Sequence, residues 1–377
     1  MATLLYFAAV LIGSAASGLH DMAVAICGRD RGVTIMSDAA RIIGSDTPSD
    51  YRLSPLEHAE QLKTSAPKLA ALLTRSAPVE LAQQHADADT EALGAERTFK
   101  RWVIRANWAV LATATVSALL MAVALLGGTL GRLTQTTLIV LAVIGVTTGG
   151  IASMSLFRVK EGRLLEDWMM ARARAETKRL SYFRYIVNSS EGPLDPQLEL
   201  LKLEYFRRYQ LDLQLAYYKT RRSGHRNSAE RTLDISAVSV LVAAIASGAA
   251  GVLGALRSEW AALGSLAVFG AALQAFAAAR ESLNQDRRNA ERYDNTAQAL
   301  QGLRERLDDV RSGIAAGSPS VLGEYVGAVQ DQLSLEHRQW LEGAENMQAA
   351  VARLEKALSS GASQKDAAGE KGADHRD

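Results

Sequence analysis

Histidine and cysteine are the first places to look for chemistry, and in this chain they are scattered. The six histidines, His20, His58, His85, His225, His337 and His375, share no metal-ligand spacing, and no GxSxG, P-loop or HExxH motif occurs. Outside such a constellation a histidine is an ordinary surface residue. The single cysteine, Cys27, excludes an internal disulfide framework and any multi-cysteine metal site, and it suits soluble parts kept in a reducing compartment. A thiol nucleophile would need a partner histidine and none can be assigned, so Cys27 reads as a small semi-buried residue. These residues point to a protein that is not an enzyme and that carries neither a metal nor another cofactor.

A second group of residues offers a different chemistry, the close approach of helices in lipid. Gly149 and Gly150 follow Thr147 and Thr148; Gly248 and Gly251 lie in an SGAAG run; Gly264 and Gly270 sit in a later Ala-rich stretch. Small residues of this kind let helix backbones meet inside a membrane. Gln274 is the most polar residue deep in an apolar run, and it either lines a pore or gate or hydrogen-bonds a neighbouring helix. No Asp, Glu, Lys or Arg lies in the middle of these runs, which argues against an ion-coupled transporter.

The elements that must hold these residues are four apolar runs, at about residues 106–126, 137–157, 235–256 and 260–279. The first two are uncharged over about the 20 residues needed to cross the hydrocarbon core. Ten residues separate the first two runs and three, RSE, separate the last two, so the runs should form two hairpins. The second pair is rich in Ala and Gly and inserts more weakly per residue. A buried pair in a soluble bundle is the competing reading, but runs this long exceed the usual globular helix of about 11 to 12 residues. Arg97, Lys100, Arg101, Arg105, Arg158, Lys160, Arg163, Arg221, Arg222, Arg226, Arg231, Arg280, Arg287 and Arg288 flank the long segments, whereas the connecting turns hold only Arg132 and Arg257. The positive-inside bias then puts both turns outside and the long segments and termini in the cytoplasm. Trp102, Trp108 and Trp260 lie near span ends, where indole rings anchor.

Each hairpin is followed by a charged stretch with helical spacing. Leu164, Leu165, Trp168, Ala171 and Ala175 form one apolar stripe. Gly192, Pro193 and Pro196 break that helix, and Leu198, Leu201, Tyr205, Leu211 and Leu215 suggest the apolar face of the next. The order hairpin, charged helix, hairpin, charged helix reads as a degenerate duplication. A last helix places Trp340, Ala344, Met347, Val351, Leu354 and Leu358 on a coiled-coil seam, and the tail beyond it has no apolar content and should be disordered. At the N-terminus the run before Gly18 is too short for a span. It suits either a signal peptide or a small α/β piece with a strand, a turn from Gly13 to Gly18, a short helix from Ala23 to Ile26 and a second strand at GVTIM, residues 32–36.

Tyr205, Arg208, Gln214, Tyr217, Tyr218 and Arg221, followed by a hairpin, ERYDNTAQALQGL and the EHRQW of Glu336 to Trp340, resemble the SLATT family. Trp168 occupies a comparable place after the first hairpin. The resemblance covers roughly residues 95–358 in tandem and identifies an architecture more than a site. It implies a two-transmembrane effector domain of bacterial conflict systems, found beside nucleotide second-messenger synthases and SLOG-type sensors. Such an effector forms pores or disrupts the inner membrane on a nucleotide signal, leading to growth arrest or death of an infected cell.

The expected fold is therefore an all-α membrane protein, with two transmembrane helical hairpins and long cytoplasmic amphipathic or coiled-coil helices. The expected segments are 1–50 at the uncertain N-terminus, 51–94 as a polar helical linker, 95–195 and 196–316 as SLATT-like hairpins with their following helices, 317–358 as the C-terminal helix, and 359–377 as the tail. The expected partners are the lipid bilayer, further copies of the chain, and a nucleotide second-messenger synthase or SLOG-type sensor. A net charge of +1 gives no argument for a nucleic-acid partner, and none is expected. The alternative function is a non-enzymatic scaffold that anchors a cytoplasmic coiled coil.

Overall fold

The computed structural model describes residues 35–48, 51–130, 132–189, 194–256, 263–336 and 338–339. Among them every regular element is helical: α1 (35–43), α2 (Pro55–Leu62), α3 (Pro67–Leu73), α4 (Ser76–Leu130), α5 (Arg132–Glu161), α6 (Leu164–Asn188), α7 (Pro196–Phe206), a π-helical segment (Arg207–Asp212), α8 (Leu213–Leu256), α9 (Gly264–Asn284), α10 (Asp286–Glu305), α11 (Leu307–Ala315) and α12 (321–336). The strand expected at GVTIM is corrected where it is described, because Ile35 and Met36 begin α1. The apolar residues that follow, Ala39 and Ile43, are four apart and both buried, a helical rather than an alternating period. The rest of the expected α/β piece, the coiled-coil seam from Trp340 and the tail lie outside the described residues.

The chain divides into two compact units, and the divisions fall inside helices α4, α6, α8, α10 and α12. The first unit comprises the described residues of 35–86, 176–217 and 296–334. Its centre is α7, against which α3 and α11 pack. Pro196 opens α7 where its missing N–H costs nothing, and the Asp195 carboxylate caps the helix by accepting from the amides of Gln197 at 3.1 Å and Leu198 at 3.4 Å. Lys68 on α3 ties down the same carboxylate at 2.5 Å. Leu69, Leu73, Phe183, Ile186, Leu200, Leu203, Phe206 and Leu300 fill the interior. Residues 51–94, polar on average, supply Leu62, Leu69, Leu72 and Leu73 to this packing, so much of that stretch belongs to a folded unit.

The second unit comprises the described residues of 87–175, 218–295 and 335–339. In it α4 and α5 run antiparallel: Phe99, Val103 and Ala106 pack against Leu156 and Val159, with Leu165 of α6 completing the cluster. Further along, the Thr113 and Thr148 hydroxyls lie 3.0 Å apart. Helices α8 and α9 form the second antiparallel pair, and the Trp108 ring of α4 meets Phe276 of α9 at 5.2 Å.

Three helical stretches, Ser76–Ala124, Thr134–Glu161 and Pro196–Leu256, are long and apolar enough to cross a membrane. Their surfaces agree, since Ile139, Val140, Val143, Ile144, Val146, Ile151, Met154 and Phe157 of α5 are all exposed, more than a water-soluble monomer tolerates. The hydroxyls within the apolar runs turn inward on their own helices. Thr113, Thr115, Ser117, Thr147 and Ser155 each donate to the carbonyl four residues back, which satisfies them without water. Helix α9 covers most of the fourth apolar run. A helix break follows each antiparallel pair, with positive φ at Arg163 (46°) before α6 and at Gln285 (50°) before α10.

Candidate functional site: a close helix contact and a buried ionic layer

A close helix contact in the second unit is at Gly270. A Cβ placed there would stand 2.8 Å from the Ala243 Cβ and 2.9 Å from both the Ala243 nitrogen and the Ser239 carbonyl oxygen, so α9 can approach α8 only because position 270 has no side chain. One turn away the Ser236 hydroxyl donates to Gln274 Oε1 at 2.8 Å. That pairing makes Gln274 a helix-to-helix partner. Gly264 faces Ala250 at 3.8 Å, and in the first pair Gly149 faces Thr113 at 3.8 Å. The other glycines singled out from the sequence are not in these contacts: Gly150, Gly248 and Gly251 have nothing within 4 Å of a built Cβ.

The family-like positions spread over both units. Within the second, Trp168 stacks on Phe99 at 5.5 Å, and Tyr218 donates to Glu336 at 3.2 Å while its ring lies 5.6 Å from Tyr293. Arg221 is exposed there. Arg222 pairs with Asp294 and His225 with Asp286, each at 2.7 Å, joining α8 to α10. Within the first, Tyr205 is fully buried, Gln214 lies against the Arg179 guanidinium, and Tyr217 meets Tyr51 edge-on at 5.5 Å. Trp340 lies outside the described residues.

The ionic layer of the first unit was hidden in the sequence. Glu204, fully buried, accepts from Arg207 at 2.6 Å and from Arg311 at 2.7 Å. Arg207 also reaches Asp212 at 2.6 Å, and Asp212 accepts from Arg304 at 2.7 Å. The result is an alternating chain of three guanidinium and two carboxylate groups. Its geometry depends on the π-helical turn from Arg207 to Asp212. Steps of about 100° per residue would put residue i+5 roughly 140° round the helix, whereas the wider π turn brings it back over residue i. Arg207 further donates to the Gly44 carbonyl at 2.7 Å, and Arg208 donates to the carbonyls of Ile43 and Asp46. These two guanidinium groups cap the end of α1, where Gly44 takes a φ of 87°.

Beside this layer the Tyr205 hydroxyl bridges His58 Nδ1 and the Tyr182 hydroxyl, each at 2.8 Å. Burial pushes both phenols well above their usual range, so they stay neutral. Lys202 is fully buried too, pairing with Glu199 at 2.7 Å and donating to the Ser189 carbonyl at 2.7 Å. One sequence signal does point here. From Leu198 to Leu215 apolar residues occur all round the helix, so it must be buried and its charges with it.

Chemically, each carboxylate of the layer is neutralised by arginine, and the pairs tie α7, the π-helical turn, α10 and α11 together. Among the described residues no group of three His, Cys, Asp or Glu is placed to hold a metal ion.

Residues 206–340 match the family model described as SMODS and SLOG-associating 2TM effector domain 1. No curated protein and no solved structure matches the chain. The matched region takes in the π-helical turn, α8, α9, α10, α11 and the described part of α12, and its two apolar helices are α8 and α9. This membrane protein, helical in every regular element among the described residues, thus carries a SLATT domain, a two-transmembrane effector domain, across residues 206–340.

Proposed function

We propose that the chain is a membrane effector of a bacterial conflict system, whose hairpins form a pore or perturb the inner membrane in response to a nucleotide-type signal. The observation that carries this reading is the match to an effector domain whose two apolar helices meet through Gly270, Ala243 and Ser239. A contact made of small residues, with one polar pair beside it, can slide at low cost, and a signal that prefers one packing shifts its population. The first hairpin, with the same order of elements and the same positive-φ break after it, is read as a second copy of the domain. The basic flanks support a reading in which the termini and charged helices lie in the cytoplasm. The family description, which associates the domain with SMODS and SLOG, supports a synthase or sensor as the source of the signal. Several copies of the chain would be needed to line a pore.

The test is inducible expression of the full chain in a bacterium, alone and with a cyclic-nucleotide synthase. Growth arrest in either condition is expected. Unimpaired growth in both, with the protein present in the membrane fraction, would favour the scaffold that anchors a cytoplasmic coiled coil.

A further inference from the structure

In the second unit α4 carries a row of guanidinium groups at the start of its apolar run. Arg97, Arg101 and Arg105 are spaced by four residues, so they share one face, and all three are exposed. None is in an ion pair among the described residues. From Arg97 to Leu130 the helix has no Asp or Glu. The same face continues as Ile104 and Trp108, 56% and 58% exposed, with Trp108 held at one side by Phe276. Trp102 lies under the Arg105 guanidinium at 4.8 Å and fixes its position. On α5, Arg158 is exposed at the same level, next to the Leu156 and Val159 that pack on Val103 and Ala106.

We propose that this face is a binding site for an anionic phospholipid, with Arg101 and Arg105 on the headgroup phosphate and Trp108 and Ile104 against the glycerol and upper acyl chain. Charge complementarity selects the occupant: a run of unneutralised cations directly preceding an uncharged apolar helix matches a surface that is anionic at the headgroup and apolar just below it. The opposite face of α4 at this level, Phe99, Val103 and Ala106, is already covered by α5 and α6, and the arginine face is exposed. The site rests on the reading that α4 crosses a bilayer.

The experiment keeps Trp108 as the sole tryptophan, the other four replaced by phenylalanine, in full-length protein reconstituted into phosphatidylcholine vesicles. Brominated phosphatidylglycerol and brominated phosphatidylcholine are compared as quenchers at matched mole fraction. Each cation near the surface is worth about fivefold in affinity, so two of them should give phosphatidylglycerol an advantage of about 25-fold. That advantage should fall to near one in R101Q/R105Q and persist in R101K/R105K. Equal quenching by the two lipids, or an advantage unchanged in R101Q/R105Q, would overturn the site while leaving the span intact. No quenching by either lipid would instead overturn the span. Native mass spectrometry of the wild-type chain released from mixed-lipid nanodiscs gives the same comparison without the tryptophan substitutions: retained phosphatidylglycerol supports the site, and no enrichment over phosphatidylcholine overturns it.

Discussion

Gly270 and Ala243 meet where α9 packs on α8, with room for a hydrogen but not for a methyl group between them. Gly270→Leu should therefore push the two helices apart. The expected cost is about 1 to 3 kcal/mol, typical of overpacking, read as a lower thermal midpoint for the purified protein in detergent. Gly248→Ala and Gly251→Ala, which point into open space within α8, should cost nothing and gain up to about 1 kcal/mol from the better helix propensity of alanine.

Glu204→Gln removes one charge from the middle of the ionic layer and leaves Arg207 and Arg311 short of a partner. Breaking a buried pair from one side costs about 3 to 5 kcal/mol. Urea unfolding followed by circular dichroism should show a loss of that order. A change under about 1 kcal/mol would mean that water reaches the layer.

Asp195 links acid sensitivity to the first unit. The Lys68 ammonium, with the backbone amides of Leu198 and Gln197, holds the Asp195 carboxyl below its usual range. A depressed pKa contributes stability that is complete above the unfolded value, about 3.9, and is lost as pH falls through the lower folded value. The Asp195→Ala variant should be less stable by about 1 kcal/mol at neutral pH, the usual worth of a cap. Its stability should also fall less steeply than the wild type's below about pH 4. Melting curves between pH 2 and 7 check both.

Topology is tested by single cysteines in a Cys27→Ser background, probed with a membrane-impermeant maleimide on intact cells. Ser258→Cys, in the RSE stretch between the last two apolar runs, should label from outside. Ser312→Cys, in α11, should label only after permeabilisation. Labelling of Ser312→Cys on intact cells would contradict a cytoplasmic first unit.

The sequence made some of these features legible and concealed others, for physical reasons. Leu165, Ala171 and Ala175 repeat at helical spacing and are buried, so periodicity alone found that face. Uncharged length likewise revealed the apolar helices. The π-helical turn was invisible, because Leu201, Tyr205, Leu211 and Leu215 fit one continuous helix almost as well and the extra residue shows only in hydrogen bonding. The partners of Glu204 and Asp212 come from Arg304 and Arg311, about 100 residues away, and pairing at that distance leaves no local pattern. The glycines were distinguishable only in three dimensions: Gly149 and Gly150 are adjacent in the chain, yet only Gly149 faces a neighbouring helix.

The most direct measurement is the membrane potential of bacteria expressing the chain with a cyclic-nucleotide synthase, followed with a potential-sensitive dye from the moment of induction. Wild type should depolarise the cells, and Gly270→Leu at equal abundance in the membrane fraction should not. A potential that holds with the wild type, or collapses equally with Gly270→Leu, would contradict an effector that works through the packing of α8 on α9.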